Sequence, residues 1–281
     1  MSAILIDGKV RSTQILDDLK NRVSTLKERG VQPGLAVILV GDDPASKVYV
    51  RNKEKACEKI GIRSVPVIMG ADTTQAQLEN EIDRLNTDSS VHGILVQLPL
   101  PNGLDEEHAL KRILPEKDVD GFHVVNSGLL FRGGKGVLPC TPRGILDLLH
   151  FSGTSLVGKE AVVIGRSNLV GKPVAMLLLN ENCTVTMCHS RTQNLAAHTK
   201  TADILVSAVG KAGFVTADMV KSGAVVIDVG INRTENGIVG DVAPDVWEVA
   251  SAITPVPGGV GKMTVAMLMA NTVEAAERTL Q

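Results

Sequence analysis

Apolar residues along the chain fall into two series. Short, nearly continuous apolar runs stand at 34–41 (GLAVILVG), 64–70 (SVPVIMG) and 91–101 (VHGILVQLPLP), and between them, at 12–30, 46–60 and 74–86, apolar residues recur with helical spacing. The runs are rich in β-branched residues and do not alternate with polar ones, as expected of strands covered by helices on both faces of a parallel sheet. A Gly- and Pro-rich break follows at 133–142 (GGKGVLPCTP), where Thr141 suits a helix N-cap and Pro142 the first helical turn. The pattern then restarts at 160–165, 183–188, 202–209 and 223–230. Two successive βαβ series predict an α/β protein of two domains. We place residues 1–140, completed by a closing helix at 263–281, in one domain and 141–262 in a Rossmann-like second domain, with a groove between them.

Composition narrows the classes. Hydrophobic residues make up 44% of the 281, but aromatics only 2%, so the core must be built from Val, Ile, Leu, Ala and Met. A net charge of −2 without a long basic run leaves no footprint for nucleic acid. No stretch approaches the ~20 apolar residues of a membrane span, and MSAILIDGKV lacks the basic and apolar regions of a signal peptide. Cys57, Cys140, Cys183 and Cys188 form no CxxC pair and sit in apolar surroundings, which reads as reduced thiols of a cytoplasmic protein. The six histidines show no metal-binding spacing, so no metal is assigned.

The first candidate chemistry lies in ASKVYVRNKEKACEKIGI, residues 45–62. At ~100° per residue, Lys53 falls ~40° from Tyr49, on the side of Ser46, Ala56, Cys57 and Ile60. The opposite side carries Lys47, Arg51, Glu54, Lys55 and Glu58. A lysine on the apolar side either snorkels to the surface or works in a cleft; the neighbouring hydroxyl and phenol keep the second reading open.

The second lies in AVVIGRSNLVGKPVAMLLL, which runs strand, turn, helix. Gly165 ends the strand, Gly171 opens the helix and Pro173 sits in its first turn, an arrangement that offers backbone N–H groups and a positive dipole end to phosphate. Arg166 and Ser167 lie in the turn. The next strand ends in His189, Ser190, Arg191 and Thr192, without the acidic residue that accepts the ribose hydroxyls of NAD. Two arginines and a hydroxyl there fit a 2′-phosphate, so the cofactor is read as NADP.

The motifs YVRNKEKAC, VQLPLP, EKDVDGFH, PCTPRGI, GRSNLVGKP and TPVPGGVGKMT stand in the order found in bifunctional methylenetetrahydrofolate dehydrogenase/cyclohydrolases, and the chain resembles that family from about 34 to 270. The resemblance implies oxidation of methylenetetrahydrofolate with NADP, hydrolysis of the methenyl product to 10-formyltetrahydrofolate, a place in one-carbon metabolism and purine biosynthesis, and a homodimer. It implies Lys53, Gln97 and Tyr49 as catalytic residues, Tyr49 as the face against the folate, and Asp120 as the carboxylate that holds the pterin. Pro257, Gly258 and Gly259 are implied as a close backbone approach to the folate, and Ile231 as a contact on the nicotinamide side. The family usually has proline where this chain has Lys262.

Other motifs are weaker. EKDVDGFH resembles a calcium loop, but Ser127 stands where a bidentate Glu is needed, and Asp118 reads as a turn former before Gly121. PGGVGKMT is no P-loop, since Met263 follows Lys262. His123 and His189 read as satisfied polar residues. Two alternatives remain beside the folate reading. A shikimate-type dehydrogenase would need no stacking tyrosine, and a ligand-binding regulator would not need Lys53, Gln97 and Asp120 together.

Overall fold

The computed structural model describes residues 3–235 and 237–280; Met1, Ser2, Asn236 and Gln281, the last at the end of the predicted closing helix, lie outside the described residues. The elements run β1 (Ile4–Leu5), α1 (Gly8–Glu28), β2 (Gly34–Val40), α2 (Pro44–Ile60), β3 (Arg63–Met69), α3 (Gln75–Thr87), β4 (Gly93–Val96), α4 (Glu106–Arg112), α5 (Val124–Phe131) and α6 (Cys140–Phe151). They continue with β5 (Glu160–Ile164), α7 (Gly171–Asn180), β6 (Thr184–Cys188), α8 (Leu195–Thr199), β7 (Ile204–Ser207), β8 (Val225–Asp228), β9 (Asn232–Thr234), β10 (Gly237–Val239), β11 (Ala252–Ile253) and α9 (Val260–Arg278). The chain forms two compact units, one of residues 14–140 with the segment from Val265, the other of the segment up to Thr13 with 141–264.

In the first unit, parallel strands lie in the order β3-β2-β4. All seven residues of β2 are buried, which explains its unbroken apolar run. Ala36, Ile38 and Val40 pack on Leu78, Ile82 and Leu85 of α3 and Ala109 of α4. Helix α2 begins where Asp43 Oδ2 accepts from the Ser46 N–H at 2.7 Å and Pro44 follows. It ends at Gly61, whose φ of 86° is open to glycine at little cost. Its buried face is Ser46, Val50, Ala56, Cys57 and Ile60. The run at 91–101 pairs only over Gly93–Val96. Pro99 and Pro101 have no N–H to give a ladder, so the chain leaves the sheet at Gln97.

In the second unit six parallel strands lie in the order β1-β11-β8-β7-β5-β6, beside the antiparallel pair β9/β10. The chain passes from β5 outward to β6, then returns to the other side of β5 as β7, which makes the β5/β7 edge the topological switch point where dinucleotides lie in such sheets. The sequence reading put residues 1–140 together, whereas the segment up to Thr13 belongs here. Ile4 pairs with Ala252 and Leu5 with Ile253, and a two-residue strand carries no period to read. Helix α6 starts at Cys140, so Thr141 is not its N-cap; it lies within the first turn, its hydroxyl 2.9 Å from that of Thr264. The last helix starts at Val260 rather than 263.

Candidate active site

In the first unit, the geometry answers why Lys53 faces the apolar side of α2. Its Nζ donates to Oε1 of Gln97 at 2.7 Å. Gln97 is itself fixed, because its backbone N–H donates to Ile38 O at 2.9 Å and its Nε2 to Leu98 O at 2.7 Å. With Nε2 committed to a carbonyl, Oε1 is the atom turned toward the amine. Burial lowers the Lys53 pKa from its ordinary 10.5, and the negative charge of Asp120 acts in the opposite sense. The Asp120 carboxyl is pushed up to about 6, chiefly by burial; Lys53 opposes the shift and Asp118 adds to it. Tyr49, one turn before Lys53, is 45% exposed and presents its ring to solvent.

Asp120 stands on a turn built by Asp118. Oδ1 of Asp118 accepts from the N–H groups of Gly121 (3.1 Å) and Phe122 (3.2 Å), and Oδ2 from His123 N–H (2.8 Å) and Asn126 Nδ2 (2.9 Å). Gly121 has φ 77°, and a Cβ there would lie 2.5 Å from the Pro139 nitrogen. His123 Nδ1 accepts from the Val125 N–H at the start of α5, so Asp118 and His123 shape the chain, as read. Two residues escaped the sequence reading. Asn271 of α9 donates Nδ2 to Val119 O at 2.8 Å and to Leu138 O at 3.0 Å, and the Cys140 thiol donates to Val119 O at 3.3 Å. An asparagine inside the apolar run MTVAMLMANTV was the available signal.

In the second unit, Gly165 closes β5 at the switch point, with φ 121°. A Cβ on it would overlap Ala208 O, and one on Gly171 would overlap Gly165 O, so the turn and the first turn of α7 close on each other only as glycines. Ser167 Oγ accepts from the N–H groups of Val170 (3.1 Å) and Gly171 (3.3 Å). Strands β5 and β6 are neighbours, with Ile164 opposite Cys188. Arg166 and Ser190 therefore each stand two residues beyond adjacent strand ends, and both arginines, Arg166 and Arg191, are exposed. The turn that carries Arg191 is closed by its own N–H donating to His189 Nδ1 (3.2 Å) and by His189 N–H donating to Thr192 Oγ1 (2.8 Å). A donor set of two guanidinium groups and a hydroxyl, with no carboxylate at the end of β6, fits a phosphate-bearing ribose. Ile231, 52% exposed, follows β8.

Pro257, Gly258 and Gly259 form the loop between β11 and α9. Gly258 has φ 114°, a Cβ on Gly259 would lie 2.6 Å from Pro255 O, and one on Gly8 would overlap Gly259 O. Lys262 is exposed in the first turn of α9, and its N–H donates to Gly259 O at 3.1 Å, a bond that proline could not make. Among the described residues no group of three or more His, Cys, Asp or Glu side chains could hold a metal ion.

The family model described as tetrahydrofolate dehydrogenase/cyclohydrolase, catalytic domain, matches residues 6–120, and the one described as the NAD(P)-binding domain matches 139–280. The chain belongs to the tetrahydrofolate dehydrogenase/cyclohydrolase family. A relative from Halalkalibacterium halodurans, named bifunctional protein FolD, is 58% identical over 278 residues, covering 99% of this chain and 100% of its own. The solved structure of the bifunctional methylenetetrahydrofolate dehydrogenase/cyclohydrolase from Campylobacter jejuni superposes with a TM-score of 0.98 at 49% identity, over 99% of this chain and 100% of that one. The Trypanosoma brucei dehydrogenase-cyclohydrolase, solved in complex with NADP and an inhibitor, gives 0.94 at 42% identity over 100% and 99%. Membership removes the shikimate-type alternative, and the Lys53–Gln97 contact joins residues that a regulator would not need together.

Proposed function

We propose that this tetrahydrofolate dehydrogenase/cyclohydrolase uses NADP to oxidise 5,10-methylenetetrahydrofolate and hydrolyses the methenyl product to 10-formyltetrahydrofolate, with Lys53 as the group that moves protons. The observation that carries this is the Lys53–Gln97 contact beside the Asp120 carboxyl. Bound NADP supplies the acceptor for the hydride that leaves the bridging carbon. Arg166, Ser190 and Arg191 would hold its 2′-phosphate, Gly165 and Ser167 would line the turn that receives its pyrophosphate, and Ile231 would stand at its nicotinamide end.

Tyr49 offers a flat face to the pterin, and the Asp120 carboxylate accepts from ring N–H and amino groups. Pro257, Gly258 and Gly259 give the folate a backbone surface free of side-chain bulk at the two glycines. In the hydrolytic step a water oxygen bonds to the bridging carbon, the bond from that carbon to N5 breaks, N5 takes one proton and the other leaves to solvent. A lysine with a lowered pKa has more neutral amine near neutral pH, so Lys53 can take the water proton and hand it to N5. Gln97 keeps that nitrogen aimed.

Homodimerisation belongs to the same proposal. Strand β3 is the edge of its sheet and carries Ile68, 65% exposed, which a second copy would cover. A cytoplasmic setting is supported by Cys57, Cys140, Cys183 and Cys188, which are buried thiols rather than disulfides. The test is direct: incubated with methylenetetrahydrofolate and NADP, the protein is expected to yield NADPH, methenyltetrahydrofolate and then 10-formyltetrahydrofolate. Binding of the folate without NADPH formation would contradict the proposal.

A further inference from the structure

Two carboxylates at the carboxyl end of the six-stranded sheet take no part in the chemistry above. Asp241 is fully buried. Its Oδ2 accepts from Val209 N–H at 2.8 Å, Gly210 N–H at 3.2 Å and Ser207 Oγ at 3.3 Å; its Oδ1 accepts from Lys211 N–H at 2.9 Å and Asn232 Nδ2 at 3.1 Å. Three successive N–H groups thus converge on one anion, a nest made by the loop that leaves β7. Asp228, the last residue of β8, accepts at Oδ1 from Gly230 N–H (2.9 Å) and Asp241 N–H (2.9 Å), and at Oδ2 from Val242 N–H (3.0 Å). Its own N–H donates to Thr254 Oγ1 at 2.8 Å. Each carboxylate occupies space that only a glycine leaves free. A Cβ on Gly230 would overlap Asp241 Oδ1, and a Cβ on Gly240 would overlap Asp228 Oδ2.

The two carboxylates grip the chain on either side of Ile231, since Gly230 is held by Asp228 and Asn232 by Asp241. The loop in the nest, residues 209–211, follows Ala208, whose carbonyl packs on Gly165 at the switch point. We infer that Asp241, itself anchored by Asp228, is a positioning residue for the dinucleotide. It holds the 209–211 loop and Ile231 in the places that receive the nicotinamide end. Asp241 touches neither substrate nor cofactor and acts only through these groups. The inference rests on the NADP reading above.

Asp241→Asn keeps the size but turns an amide NH2 toward backbone N–H groups, so part of the nest loses its acceptor. The KM for NADP is expected to rise about tenfold or more. Hydrolysis of methenyltetrahydrofolate, assayed without NADP, should stay within about twofold of the unaltered protein, because it needs none of the groups in the nest. An unchanged KM for NADP overturns the inference, as does an equal fall in both activities, which marks a merely structural role. Should Asp241→Asn fail to fold, Asn232→Ala decides. It removes the hydrogen bond to Asp241 Oδ1, together with a longer one of 3.4 Å to Val239 O, from a half-buried side chain, and is expected to raise the KM for NADP about threefold; an unchanged value there refutes the role. Failure of the unaltered protein to reduce NADP would instead refute the reading on which the inference rests, so the two failures are distinguishable.

Discussion

Lys53→Met is expected to slow hydrolysis of methenyltetrahydrofolate by about 100- to 10,000-fold, the range for losing a positioned proton-transfer group. Methionine matches the length of the buried stem and supplies no proton acceptor, so the loss reports the amine rather than a cavity. Two further consequences distinguish this account from general damage. NADP affinity should stay within about twofold, since the arginines and glycines assigned to the cofactor lie in the other unit. The variant should also unfold within a few degrees of the unaltered protein, because relief from burying a charged amine offsets the hydrogen bond lost at Gln97 Oε1. The checking measurement is the decay of methenyltetrahydrofolate absorbance. Decay at the unaltered rate would remove Lys53 from the mechanism.

Arg191→Ala is expected to act on the other half-reaction. A charge-assisted hydrogen bond to phosphate is worth ~1.5–3 kcal/mol, which at ~1.4 kcal/mol per factor of ten lowers kcat/KM for NADP by about 10- to 100-fold. The same constant for NAD should change by less than about threefold, since NAD lacks the 2′-phosphate. Arg191 is exposed, its turn closed by backbone contacts to His189 and Thr192, so its truncation leaves the turn intact. Equal losses toward the two cofactors would show that Arg191 does not read the phosphate.

Much of this was legible in the sequence, for reasons that differ by element. Strand β2 and strands β5, β7 and β8 are largely buried, so their apolar runs stand out from the turns around them. Helix α2 declared its buried face, and with it the oddity of Lys53, because its charged residues cluster opposite. Gln97 could not be found that way. It lies 44 residues from Lys53 in the chain, beyond a strand, a helix and another strand, and only the VQLPLP motif pointed to it. Short elements were lost: β1 has two residues, and α4 and α5 have seven and eight, about two turns each. The start of α1 was read four residues late because a glycine at its first position argues against helix, although Asp7 Oδ1 accepts from the N–H groups of Lys9 and Val10 there. The roles of Asp228 and Asp241 were hidden for another reason. Nothing local marks an acid at or beyond a strand end as one that gathers N–H groups, which reach Asp241 from 30 to 32 residues away.

The central claim is that one amine, lowered in pKa by burial and aimed by Gln97, handles the protons of hydrolysis. Its most direct test is a titration of Lys53 itself, following the Nζ resonance in isotope-labelled protein and identifying it by its absence in Lys53→Met. The account predicts a midpoint below the ordinary 10.5, and a hydrolysis rate that rises with pH toward that same midpoint as the neutral amine accumulates. A Lys53 that titrates together with the surface lysines, or a rate indifferent to its protonation, would contradict it.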